Sequence, residues 1–541
     1  MSDIIIIGSG ISGLSAALHG AKQGMRVTLI APFISERSQS VMAAGGVNAV
    51  LKGFEGEDSI EAHVADTIKG GCFIENPTPV ADMCREATHL IDWLCDQGIV
   101  FSRDEAGHIC QRPFGGQSYR RTVYAGACTG KQIVTSLVFA CRQYECQGLI
   151  KRVLRTHFHS ALIRDGKCYG ILAYDEKNNK LIPYYADAVI MATGGQNQIF
   201  GKTTGSTLCD GYAAGKLLEQ GVVLRNLEFI QYHPTTIETH QKRMLITEGA
   251  RGEGGRLYYE QDGRRVYFME DAFGERGNLM PRDIVSKYIY DAPSQVYLDV
   301  TFLGEKCIKE RLYEVYDLCM RYLNLDITRE SIPVSPSVHF FMGGFAVDDY
   351  HKTNIDRLYA VGECASKYHG ANRLGGNSLL AALYSGKKAI EGIAAIGQMD
   401  SDRKGDFEKY IESQQEAFKI DRSAKSKYPV TYMESELAAT MLEDLGITRT
   451  KEKLDNGIET VDFYLQVCRK VAYDSDVNAY RNYRIESMFF LAKAILTVAR
   501  ERRETRGAHI REDYPETMEA YKKVSLVNWE NGELKVRFQE A

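Results

Sequence analysis

The sequence predicts an α/β chain: a strand–helix–strand fold interrupted by an inserted segment and followed by a helical C-terminal region. Three observations carry this expectation. A glycine turn stands between a buried strand and an Ala-rich helix at the start, two later strands each run into a glycine turn, and beyond about Gly397 the chain becomes charged and helical. At 541 residues, 44% hydrophobic and 25% charged, the chain is long enough for several domains with large cores. Its 66 basic and 71 acidic residues leave a net charge of −5 without a basic block, which argues against nucleic acid as a partner. The 13 cysteines are scattered and include no C-x-x-C pair, as expected of reduced thiols in a cytoplasmic protein with no metal or cluster site of its own. No apolar run approaches the roughly 18 residues that cross a bilayer, and the N-terminus reads as a core strand, so neither a signal nor a transmembrane segment is expected.

The first elements are a strand over residues 4–7, a turn over 8–13, a helix over 14–23 and a strand over 26–30. Helical periodicity returns over 80–95 and 131–144, and strand-like runs occupy 161–164, 169–174 and 188–192. Residues 233–339 break this rhythm with mixed glycine-rich and charged segments before another strand at 358–361, the pattern of an inserted domain. Helices are then expected over 405–424, 433–445, 451–471 and 484–504, and short strands over 524–529 and 534–538.

Gly8, Gly10 and Gly13 form G-x-G-x-x-G directly after a strand and directly before a helix, the context of a Rossmann-like dinucleotide site. Gly8 allows the tight turn, Gly10 lets the backbone approach a pyrophosphate, and Gly13 allows close helix packing, while the helix N-terminus favours phosphate charge. Ala31 and Pro32 stand where such folds place an acid for the ribose. The segments AVIMATGG (188–195) and LYAVGE (358–363) add two further strand-to-glycine turns, the second ending in Glu363. Together with the fingerprint they favour FAD over NAD.

Seven segments in matching order then identify a resemblance: RPFGGQS (112–118), NLEFIQYHPT (226–235), TEGARGEGG (247–255), PRDIVS (281–286), HFFMGG (339–344), HGANRLGGNSLL (369–380) and RGAH (506–509). The chain resembles the flavoprotein subunits of the fumarate reductase and succinate dehydrogenase family, which includes L-aspartate oxidase. That resemblance implies an FAD-binding domain over 1–232 and 345–400, an α+β capping domain over 233–344, and a helical domain with a short tail over 401–541. It implies FAD contacts from Gly8, Gly10, Ile11, Ser12 and Gly13, and from Ser38, Gln39, Ser40, Gly45 and Gly46. It adds Ala192, Thr193, Gly194, Asp210, Glu363, Asn377, Ser378 and Leu379.

A substrate with two carboxylates requires cationic and hydrogen-bonding groups from separate segments, and His233, His339, Arg282 and Arg373 supply them. By the resemblance, His339 and Arg373 clamp one carboxylate, and His233 with Thr247 clamps the other. Arg282 takes the place of the family's proton donor, and Glu248 and Arg251 its relay. Arginine is an unusual acid because its free pKa is so high, so the role requires a neighbour that returns the proton. The implied reaction is fumarate reduction to succinate, reversible in principle: hydride from flavin N5 to one carbon, protonation of the other by Arg282, and closure of the cap excluding water. Histidines outside the matched segments, His157 among them, read as surface or packing residues.

The sequence departs from the membrane-complex enzymes at RSQS (37–40), where Gln39 replaces the histidine that bonds covalently to the flavin. FAD is therefore expected to be non-covalent and of lower potential, which favours fumarate reduction. About 30 mV corresponds to roughly 1.4 kcal/mol for a two-electron couple. L-aspartate oxidase is the alternative, but Phe114 stands where those enzymes carry an acid for the substrate ammonium. Reduction of another unsaturated acid is a further alternative. With no cluster ligands of its own, the chain is expected to draw electrons from an iron–sulfur subunit. It would lie in the cytoplasm, or at the inner face of the membrane through partners that include a membrane anchor.

Overall fold

The computed structural model describes residues 2–51, 58–126, 128–240, 242–396, 407–417, 428–468 and 479–541. The strand Asp3–Ile7, with four β-branched isoleucines in a row, is the centre of a five-stranded parallel sheet, flanked by Arg26–Ala31 and Ala188–Met191 and completed by Ile150–Leu154 and Leu358–Ala360. Ile4 to Ile7 are buried, as befits a parallel sheet covered on both faces. The helix Ile11–Lys22 packs on the helix Asn377–Ala394, so the first and last parts of this fold close on each other.

Ala188–Met191 and Leu358–Ala360 are adjacent and parallel, so everything between them is one long crossover. That crossover carries a six-stranded antiparallel sheet. Its order is Arg243–Leu245, Ile230–Glu238, Ile332–Phe341, Val296–Asp299, Arg256–Gln261, Arg264–Val266. It buries a core of its own, including Ile237, Leu257, Val285 and Leu298, and the helix Arg282–Tyr290 packs on the strand Ile230–Glu238. The first cap strand begins at Ile230, three residues before the expected boundary of the insertion.

The C-terminal helices Val430–Thr440, Lys451–Cys468 and Ala479–Glu501 pack together, and the last lies against the helix Tyr212–Glu219. The expected boundary at 400/401 lies outside the described residues. So do parts of the helices expected over 405–424 and 451–471; within the former, Glu408–Ala417 is helical. The tail is a hairpin, Val524–Glu530 with Glu533–Gln539, and it does not stand apart. It joins Leu224–Arg225, Gly344–Ala346 and Ala365–Ser366 in one sheet, bracing the segments that lead into and out of the cap. The architecture is thus a Rossmann-like domain interrupted by an α+β cap and followed by a helical domain. Among the described residues, no helix is long and apolar enough to cross a membrane.

Candidate active site

The glycine turn occupies the C-terminal edge of the parallel sheet, where Gly8 and Gly13 meet backbone and Gly10 faces the side chains of Ser40 and Ser38. Gly8 has φ +110°, and a Cβ on it would lie 2.1 Å from the Ala192 carbonyl oxygen. A Cβ on Gly13 would lie 2.0 Å from the Gly8 carbonyl oxygen, which is why the helix can start directly on the turn. No side chain caps the helix at Gly10, and Ser40 Oγ accepts only the Ile11 N–H, at 3.1 Å. A helix N-terminus approached by bare backbone suits a pyrophosphate. The turn opens into a cavity of about 430 Å³, which Gly8, Gly10 and Ser12 line together with Ser38, Gln39 and Ser40. Gly45, Gly46, Ala192, Thr193, Gly194, Asp210, Glu363, Ser378 and Leu379 also line it. The buried Ser38 Oγ and Gln39 Oε1 have no hydrogen-bond partner, so this wall offers polar groups to a bound molecule. The residues present fit a flavin dinucleotide.

The same cavity is lined by Phe114, His233, Thr247, Glu248, Arg282, His339 and Arg373, drawn from the main fold and the cap. Arg282 opens its helix and donates to Glu248 Oε2 from Nε (2.9 Å) and Nη2 (2.7 Å). Its Nη1 donates to Gln231 Oε1 at 3.1 Å, and Arg373 Nη2 donates to the same oxygen at 2.9 Å. The other oxygen of Glu248 accepts the Gly115 N–H at 2.9 Å and lies 3.6 Å from Arg251 Nη2. Arg251 in turn donates to the Asn278 carbonyl at 2.5 Å. The guanidinium of Arg373 stacks 4.3 Å from the centre of the Phe340 ring.

The balance of charge on this wall is positive. Burial pushes the Glu248 carboxyl up, but Arg282 and Arg251 outweigh it and hold it below the ordinary range, so it is ionised. Burial raises Glu363 to about 7, so that carboxyl offsets little of the charge near neutrality. Burial, then the neighbouring Arg282, pushes the guanidinium of Arg373 well down. Burial, again with Arg282, holds His233 and His339 well below the histidine range, so both are neutral. His233 Nε2 is buried without a partner, and Arg373 Nε likewise. A dianion would satisfy what these groups lack.

Four residues singled out from the sequence do not line the cavity. Ile11 and Gly13 lie behind the turn, and Arg251 behind Glu248. Asn377 is turned into a buried network, accepting from Asn48 Nδ2 at 2.7 Å, contacting His63 Nε2 at 3.0 Å and donating to Thr67 at 2.9 Å. His157, read from the sequence as a packing residue, lines the cavity. Gln231 was not singled out, although it joins both arginines. Its only signal was its place two residues before His233 in the same matched segment. Arg112 was also missed as a support: it donates to the carbonyls of Ala44 (2.7 Å) and Gly45 (3.1 Å from Nε) and so pins the Gly45–Gly46 loop.

Comparison with known proteins identifies the family. A family model described as an FAD binding domain matches residues 3–379, and one described as fumarate reductase flavoprotein C-term matches residues 434–541. The chain is 35% identical to the succinate dehydrogenase flavoprotein subunit of Bacillus subtilis, over 95% of this chain and 92% of that one. It is 32% identical to a subunit of the fumarate reductase (CoM/CoB) of Methanothermobacter marburgensis, over 97% of each. An L-aspartate oxidase of Yersinia pestis is 31% identical, over 96% and 97%. Among solved structures, a variant of FrdA from E. coli quinol fumarate reductase superposes with a TM-score of 0.90 at 30% identity, covering 100% of this chain and 96% of that one. The chain belongs to the succinate dehydrogenase and fumarate reductase flavoprotein family, FAD-dependent oxidoreductases that act on CH–CH groups.

Proposed function

We propose that this chain is the flavoprotein subunit of a fumarate reductase. The observation that carries the reading is the wall formed by Arg282, Arg373, His233 and His339. Among the described residues, Glu248 is the only carboxylate hydrogen-bonded to either arginine, and the apolar Phe114 lines the same cavity. His339 and Arg373 bind one carboxylate and His233 with Thr247 the other, which fixes the double bond in place. FAD, when bound, supplies the hydride that this reduction needs. Arg282 donates a proton to the second carbon, and Glu248, hydrogen-bonded to it at 2.7 Å, returns one from the direction of Arg251. The charge developing on the substrate is stabilised by guanidinium groups already oriented by Gln231. The cap contributes His233, Thr247, Glu248, Arg282 and His339, so its closure over the main fold completes the site and excludes water.

Gln39 supports non-covalent FAD and a potential suited to reduction. Acid precipitation should leave a colourless pellet, and colour retained there would refute it. The likeness to chains of quinol fumarate reductases supports an iron–sulfur partner as electron donor and membrane association through a further anchor. L-aspartate oxidase is the second reading, supported by Gln39 and by the Yersinia pestis relative. Phe114 opposes it: the ring is buried and puts no carboxylate against a substrate ammonium. The direct test supplies the purified FAD protein with reduced viologen and fumarate. Succinate should form, and its absence with FAD bound would defeat the proposal.

A further inference from the structure

His339 and His233 meet edge to face on the cavity wall with ring centroids 5.2 Å apart. A neutral imidazole donates from one nitrogen and accepts at the other, so the position of its proton decides whether it binds or repels a carboxylate. His339 Nδ1 lies 2.8 Å from Thr204 Oγ1, and Thr204 also lines the cavity. The hydroxyl has one proton and two acceptors in reach, this nitrogen and the Val338 carbonyl at 3.2 Å. Val338 also accepts the Thr204 backbone N–H at 3.2 Å, and of the hydroxyl's two acceptors the imidazole nitrogen is the nearer and the more basic, which favours it as the one that takes the hydroxyl proton. The charged and titratable groups facing His339 are Arg282 on its helix, Arg373 on the loop before residue 377, and His233 on the adjacent strand. Arginine only donates, so neither can accept a proton from Nδ1.

We propose that Thr204 is a positioning residue that fixes the tautomer of His339, so that Nε2–H points to the substrate carboxylate as a donor. The inference rests on the dicarboxylate reading above. Loss of the hydroxyl frees Nδ1 to carry the proton and turns the Nε2 lone pair towards the substrate. The imidazolium, which donates from both nitrogens, would still bind.

The test uses the FAD-loaded protein and malonate, a dicarboxylate with no CH–CH bond to react, read by perturbation of the flavin spectrum. Relative to wild type, Thr204→Val should bind malonate about 10-fold more weakly near neutral pH. The ratio of affinities should recover as pH falls, because acid restores the Nε2 donor. Thr204→Ser should bind like wild type, and in turnover Thr204→Val should raise KM for fumarate more than it lowers kcat. Thr204→Ala, which cannot overpack the site, carries the same expectation if the valine variant does not hold FAD. Wild-type affinity in the valine or alanine variant, or a loss that neither acid nor serine restores, overturns the proposal. His339→Ala separates the two levels. If it leaves malonate binding unchanged, the dicarboxylate reading falls and this inference with it; if it weakens binding while Thr204→Val does not, only the tautomer assignment falls.

Discussion

Two clusters of buried arginines, one near the C-terminus and one at the cavity, are built differently. Near the C-terminus, Arg502 is fully buried and donates to Glu228 (2.6 Å), Glu504 (2.9 Å) and the carbonyls of Tyr521 (2.8 Å) and Lys523 (2.7 Å). Arg506 pairs with both oxygens of Glu504, and Arg511 with both oxygens of Asp513. At the cavity, by contrast, Arg282 and Arg373 share one amide oxygen and Arg373 Nε has no hydrogen-bond partner, nor do Nε and Nη2 of Arg251 behind Glu248. Burial alone does not make an arginine functional. The C-terminal cluster is largely matched by carboxylates and carbonyls and holds the fold. The cavity cluster carries excess positive charge and unused donors, at a cost in stability that an anionic ligand offsets.

The contrast breaks most sharply at Arg282. Arg282→Ala should lower fumarate turnover by about 10³-fold, within the range for loss of a general acid, with FAD content unchanged. Retained activity would remove it as the proton donor. Removing one arginine from each cluster should then have different effects on stability. Arg502→Ala strands Glu228 in the interior and should cost about 3–5 kcal/mol in urea unfolding. Arg373→Met should abolish malonate binding yet hold or raise stability, since it relieves repulsion with Arg282. A loss as large as that of Arg502→Ala would erase the distinction.

The smallest effect concerns Glu363. Its folded pKa of about 7 is raised above the unfolded value, so between about 4.5 and 7 the unfolded chain has lost a proton that the folded chain keeps. Wild-type stability therefore falls through this window as pH rises. Glu363→Gln removes that term, and at matched flavin content the variant should gain on wild type by roughly 1–3 kcal/mol from the bottom of the window to the top. A pH-independent difference would contradict the raised pKa.

What was legible in the sequence was local. The strand, glycine turn and helix at residues 3–22 are specified by adjacent residues, and the roles of Gly8 and Gly13 follow from backbone contacts within the turn and its neighbouring strand. Gln231 was not legible, because its function depends on arginines 51 and 142 residues away meeting at one oxygen. Asn377 sits in a segment that resembles a cofactor site, yet its amide finds Asn48 and Thr67 from distant elements and turns inward. The RGAH segment illustrates the same limit. Ala508 N–H donates to the Ala371 carbonyl at 2.9 Å and Arg506 Nη1 to the Cys72 carbonyl at 3.1 Å, so the segment braces the turn that carries Arg373.

The central claim, that the cationic wall handles a dicarboxylate without an amine, is tested most directly in a single turnover. The bound flavin is reduced anaerobically, mixed with fumarate, and followed by its visible absorbance. Rapid return of the oxidised spectrum with one succinate per flavin is the predicted result. A reduced spectrum that fumarate leaves unchanged, together with bleaching of the oxidised flavin by L-aspartate, would contradict it.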